Sequence, residues 1–175
     1  STTWFKRPDY TVRIDINAEG RPGPLLTGRR PGVDRLLLLG DSYLAGGQVP
    51  YETSVGALLG GALARPAEIV NDGVIGYGTD QELLVFERSR ALRVDAAVVF
   101  FTVANDVWNN DARLESRLPT APKPTFDLDG GDLVLHPAPP LGFADRVRSA
   151  LTRSWLPIWS WMRAAEKSSE KTGSW

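Results

Sequence analysis

The chain has 175 residues, 42% of them hydrophobic, with 20 basic against 21 acidic side chains, a net charge of −1 and no cysteine. That size suits one globular domain with a sizeable core, and the near-neutral balance without blocks of like charge leaves no electrostatic footprint for nucleic acid. The lack of thiols excludes disulfides, a cysteine nucleophile and thiolate metal sites.

The chain opens at Ser1 without a methionine, so removal of an upstream segment is expected. Residues 96–104, "AAVVFFTVA", form the longest apolar stretch, about half of the roughly 20 residues a spanning helix needs. No membrane span is therefore expected.

In chain order, residues 36–39 are four leucines ended by Gly40, the signature of a strand buried on both faces. A helix is expected over 53–64, with Val55, Leu58, Leu59, Ala62 and Leu63 on its inner face. Gly60 and Gly61 should each weaken it by about 1 kcal/mol. Residues 67–72 make a second strand. "TDQE" at 79–82 has capping-box form, with the Thr79 hydroxyl accepting from the Glu82 backbone N–H while Glu82 reaches back. The third strand, 96–103, is the most hydrophobic segment and is expected at the centre of the sheet. Strands alternating with helices imply a parallel sheet covered on both faces.

After Asp111 the character changes. Residues 117–126 are a proline-broken connection, and 125–137 alternate around Asp129-Gly130-Gly131-Asp132, a hairpin signal. From Gly142 a helix is expected with Phe143, Val147, Ala150 and Leu151 on one face, kinked or restarted at Pro157. Helical spacing through that proline places Trp155, Ile158, Trp159 and Met162 on one face with Trp161 at its margin. The whole reads as a single domain over 1–175: an N-terminal segment 1–34, a core 35–111, a hairpin insertion 112–141 and a Trp-rich tail 142–175.

Ligands of open parallel sheets bind outside the carboxyl ends of the strands. Ser42 stands at one such end, and the turns 71–78, "NDGVIGYG", and 103–110, "VANDVWNN", stand at the two others. Three polar segments distant in sequence should therefore converge on one edge.

"GDSYLAGG", "NDGVIGYGTDQ" and "FFTVANDVWNN", in that order and spacing, resemble the first three sequence blocks of the SGNH (GDSL-like) hydrolases. "VRIDINAEGRPGP" is similar to the N-terminal strand and N-x-x-G turn of a bacterial branch of that family, and 123–139 to its inserted hairpin. The resemblance implies a three-layer α/β/α, flavodoxin-like parallel sheet, here without the family's last strands. It implies Ser42 as the nucleophile attacking an acyl carbonyl, with the backbone N–H groups of Ser42 and Gly73 and the Asn105 side-chain amide holding the oxyanion. Close backbone approach suits glycine, and a neutral donor that does not titrate suits asparagine. Asp41 and Asp106 are expected to anchor loops, and Tyr43 and Trp108 to line the pocket.

The family's D-x-x-H block is absent from these residues, and the single histidine, His136, stands in "LHPAP" and reads as a hairpin residue. A serine without a base is a weak nucleophile. Two readings stay open. One is a serine esterase or deacetylase, exported or membrane-associated, acting on an acylated saccharide or lipid, whose Asp/His pair lies in strands beyond these residues. The other is a non-catalytic scaffold of a larger complex that meets a protein partner through Trp155, Trp159 and Trp161 or through the unpaired edge of the third strand. The plainer reading of those tryptophans is that they complete a core, ahead of a partner-binding or membrane-interface surface. No cofactor is expected: "GVIGYG" matches neither the dinucleotide fingerprint nor a P-loop, and Asp127, Asp129 and Asp132 flank a turn and form no metal constellation.

Overall fold

The computed structural model describes residues 2–26, 28–115, 123–138, 140 and 142. The chain divides into two units, Ser1–Ala112 and Arg113–Trp175. The first begins with an antiparallel pair, β1 (Thr2–Lys6) and β2 (Thr11–Asp15), with Thr2 opposite Asp15 and Lys6 opposite Thr11. Val12 and Ile14 are buried while Thr11, Arg13 and Asp15 face water, the period-2 pattern of a strand covered on one side. β1 carries no such alternation of burial, and its pairing was not legible in the sequence. After β2 the Asn17 side chain closes a turn, its Oδ1 accepting from the N–H of Glu19 (2.9 Å) and of Arg21 (3.1 Å). This is the N-x-x-G turn expected there.

The leucine run becomes β3 (Asp34–Gly40), followed by a single helical turn α1 (Ser42–Ala45), a 3-10 turn over Tyr51–Thr53 and α2 (Val55–Ala62). Then come β4 (Ala67–Asn71), α3 (Thr79–Ser89), β5 (Ala96–Phe100), α4 (Asp106–Asn109) and α5 (Ala112–Glu115). The sheet order is β4-β3-β5, all parallel, with Leu36 opposite both Ile69 and Ala96. The protein is thus a mixed α/β chain built on a three-stranded parallel sheet, with small antiparallel pairs.

Alternation along β3 splits the core. Leu37 and Leu39 meet Val70 and Val85 of α3 on one face, supported by Leu26, Tyr77, Phe86, Leu92 and Val94. Ile69 points to the other face, toward α2. At the opposite end of the sheet from Ser42 the buried Arg35 donates through Nε and Nη2 to Glu68 (2.8 and 2.7 Å) and through Nη1 to the Leu92 carbonyl (2.8 Å). Burial opposes the Glu68 charge, but Arg35 and Arg30 outweigh it and hold the carboxyl below its ordinary range.

Three expectations need correction. Among the described residues β3, not the third strand, is central: β5 pairs with β3 alone, stops at Phe100, and has Val98 40% and Val99 50% exposed. Hydrophobicity alone does not fix a strand's place in a sheet, and among the described residues the most apolar strand lies at an edge. Helix α2 is shorter than expected and turns the opposite face inward, with Val55, Leu58 and Leu63 exposed and Gly56 buried. A Cβ on Gly56 would lie 3.4 Å from Ile69 Cγ2, and one on Gly60 3.1 Å from Ile69 Cγ1. The glycines are the packing surface, letting the helix lie close on β4.

The third correction is the cap of α3. Its N-cap is Gly78, whose N–H donates to Gln81 Oε1 (2.9 Å), while the Glu82 N–H goes to the Gly78 carbonyl. The helix starts one residue earlier than the capping-box pattern implies, so Thr79 is already helical and Glu82 turns inward.

In the second unit, β6 (Thr125–Asp129) and β7 (Asp132–His136) form the expected hairpin, Thr125 opposite His136 and Asp129 opposite Asp132. Gly130 (φ 60°) and Gly131 (φ 96°) both take the left-handed conformation that a two-residue turn of matching twist requires. The expectations for residues 143–175, including the tryptophan face and the kink at Pro157, lie outside the described residues.

Candidate functional site

Three turns meet at the carboxyl end of the sheet. The first leaves β3 through Asp41, the N-cap of α1, whose side chain accepts from the Tyr43 N–H at 2.9 Å. Ser42 therefore opens the helical turn and is partly exposed, with Asp41 fully buried behind it. Tyr43 beside it is 74% exposed.

The second turn follows β4 and is stitched to β3 by the Asp72 N–H on the Leu38 carbonyl (3.0 Å) and the Val74 N–H on the Gly40 carbonyl (2.9 Å). Gly73 lies so close to α1 that a Cβ there would come 2.6 Å from the Ala45 nitrogen. Backbone meets backbone, so only glycine fits. Asn71, which the sequence reading passed over, holds this approach: its Nδ2 donates to the Leu44 carbonyl (3.1 Å) and its Oδ1 accepts from the Gly73 N–H (2.9 Å). The signal was present, since asparagine two residues before a glycine is the side-chain turn pattern. As a result the Gly73 N–H expected to face a substrate is engaged with Asn71.

The third turn follows β5. Asp106, fully buried, accepts the Thr102 N–H at 2.6 Å and closes its own loop, as expected of an anchoring acid. Asn105 reaches across to the first turn, Nδ2 donating to Asp41 Oδ2 at 2.8 Å. A carboxylate accepts only, so the amide nitrogen must face it. Ser42, Gly73 and Asn105 are thus tied to one another through Asp41, Asn71 and the backbone of α1. Trp108, on α4, is 52% exposed.

Glu82 completes the interior of this edge. It is 2% exposed, and neither carboxyl oxygen has a hydrogen-bond partner among the described residues. Burial first, then the charges of Asp106 and Asp41, push its pKa up from 4.5 to about 7.

A second network supports the Gly73 turn from below. Arg21 pairs through Nε and Nη2 with the buried Asp72, the Nη2 bond being 3.1 Å, and Ser89 Oγ donates to the same carboxylate at 3.0 Å. This ties the N-terminal turn, the β4 turn and the end of α3 together. A small cleft lined by Ile14, Pro22, Ala45, Gly46, Val49, Tyr51, Ser54 and Asn71 opens beside α1.

In the hairpin unit His136 Nε2 lies 3.1 Å from Asp127 Oδ2, both side chains exposed. Among the described residues no group of His, Cys, Asp or Glu could hold a metal ion, and no helix is long and apolar enough to cross a membrane. No protein-family model, curated protein or solved structure matches the chain.

Proposed function

We propose that the chain carries the nucleophile and oxyanion half of an SGNH-type serine hydrolase that cleaves acyl esters of a saccharide or lipid. The observation that carries this reading is the Asn105–Asp41 hydrogen bond, which joins the third sequence block to the residue before Ser42. In the reaction the Ser42 hydroxyl adds to the acyl carbonyl and its proton passes to a base. The alcohol departs with a proton, and water then hydrolyses the acyl-serine. The negative oxygen formed at each addition is met by the Ser42 N–H and by Asn105. Gly73 joins them only once its N–H leaves Asn71 Oδ1.

A second reading, a non-catalytic scaffold of the same family, has its own support. The Gly73 N–H is engaged, and among the described residues β5 is an exposed apolar edge of the kind that recruits another strand. Treatment with a fluorophosphonate probe followed by intact-mass measurement separates the two. A single adduct, absent in Ser42→Ala and lost in His136→Ala only if that histidine is the base, supports the hydrolase. No adduct on a folded protein leaves the scaffold.

A further inference from the structure

Three carboxyl groups share the interior beneath the Ser42 edge: Asp41 at the N-cap of α1, Asp106 on α4 and Glu82 on α3. The charged groups acting on Glu82 are these two acids. The basic residues near the end of its own helix, Arg88 and Arg90, are exposed, Arg90 pairing with Glu87. Three like charges gathered in a buried pocket cannot all ionise without strong mutual repulsion.

Their hydrogen bonds distinguish the three. Asp41 gives one oxygen to the Tyr43 N–H and the other to Asn105 Nδ2, and Asp106 accepts the Thr102 N–H. Those roles need lone pairs. Neither Glu82 oxygen serves a donor among the described residues, whereas Asp41 and Asp106 each do, so Glu82 is the member with no hydrogen bond to lose on taking the proton.

We propose that Glu82 is a positioning residue, held as a neutral carboxylic acid so that Asp41 can fix the Asn105 amide, and that its ionisation as pH rises loosens that amide. The catalytic consequence rests on the hydrolase reading; the coupling of Glu82 to Asn105 does not. The Asn105 side-chain amide donates to one oxygen of a carboxylate that would then face a second charge. Loosening it weakens the oxyanion donor set at alkaline pH, where a serine hydrolase otherwise gains from a deprotonated base.

The test is an NMR pH titration of the wild-type chain and of Glu82→Gln, following the Glu82 carboxyl carbon and the Asn105 side-chain amide. The Glu82 signal should titrate near neutrality and the Asn105 amide should move along the same curve. In Glu82→Gln, an uncharged mimic of the protonated acid, the amide should stay at its low-pH position throughout. A wild-type Asn105 amide that ignores the Glu82 titration, or a Glu82 that titrates in the ordinary carboxylate range, overturns the proposal.

Fluorophosphonate labelling of Ser42 gives the second reading. The ratio of Glu82→Gln to wild-type rate should rise about tenfold between acidic and alkaline pH, part of the roughly 100- to 1000-fold that loss of a whole oxyanion donor costs. A ratio that stays flat in a protein that labels also overturns it. If Ser42 is never labelled, the hydrolase reading fails while the NMR titration still decides the role of Glu82. If Glu82→Gln does not fold, the wild-type titration alone is decisive.

Discussion

Replacing Glu82 by glutamine should change how the stability of the fold depends on pH, and the size follows from its burial. In the unfolded chain the carboxyl titrates near its ordinary 4.5; in the folded chain burial and the charges of Asp106 and Asp41 raise that to about 7. Between those values the folded state binds more protons than the unfolded one. Stability from this group is therefore fully present below about pH 4.5, is lost as pH rises through about 7, and is level above. At 1.36 kcal/mol per pH unit the loss is bounded at about 3 kcal/mol, and relaxation around the charge should bring it to about 2 kcal/mol. Glu82→Gln removes the titration while keeping size and shape. Urea unfolding of both proteins at pH 5 and pH 8 is the assay. The variant should gain about 2 kcal/mol on the wild type between the two pH values, as a shift in midpoint at constant slope. A wild-type minus variant difference that is equal at pH 5 and pH 8 refutes the reasoning, because it means that Glu82 ionises in the native state at no cost.

Arg21→Ala should lower stability by about 3 kcal/mol, since it strips the guanidinium from the buried Asp72 and leaves Ser89 as its donor; Arg21→Ala with Asp72→Asn should recover most of that loss in urea unfolding. Within α2, Gly61→Ala should raise stability by about 1 kcal/mol because a Cβ there meets nothing within 4 Å, whereas Gly60→Ala should gain nothing because its Cβ would press on Ile69 at 3.1 Å. Equal melting-temperature shifts in the two glycine variants would remove the argument that Gly60 is a packing surface.

The parts of the fold that were legible in the sequence are those where local chemistry decides. The leucine run, the two following strands, the Asp-Gly-Gly-Asp hairpin and the N-x-x-G turn each depend on residues adjacent in the chain. What was not legible depends on neighbours distant in sequence. Apolar periodicity assigned Val55, Leu58 and Leu63 to the buried face of α2, yet close contact with β4 is made by the side of the helix that has no side chains to hold it away. β5 is apolar enough for a sheet centre, but its place is fixed by pairing, and Leu36–Gly40 take the middle by accepting strands on both sides.

The site shows the same division at finer scale. Ser42, Gly73 and Asn105 are recognisable as short motifs, but what joins them is a second set that motifs do not mark: Asp41 to Asn105, Asn71 to both Gly73 and Leu44, Arg21 to Asp72. Glu82 is the sharpest case. Its spacing from Thr79 suggested a surface cap, and a shift of one residue in the helix start converts that exposed carboxyl into a buried one facing two aspartates. A one-residue change in register rotates a helical side chain by about 100°, enough to exchange water for the interior. Capping patterns therefore locate a helix start to within a residue, and for an acid near the first turn that residue decides whether it solvates the helix end or governs the groups beneath it.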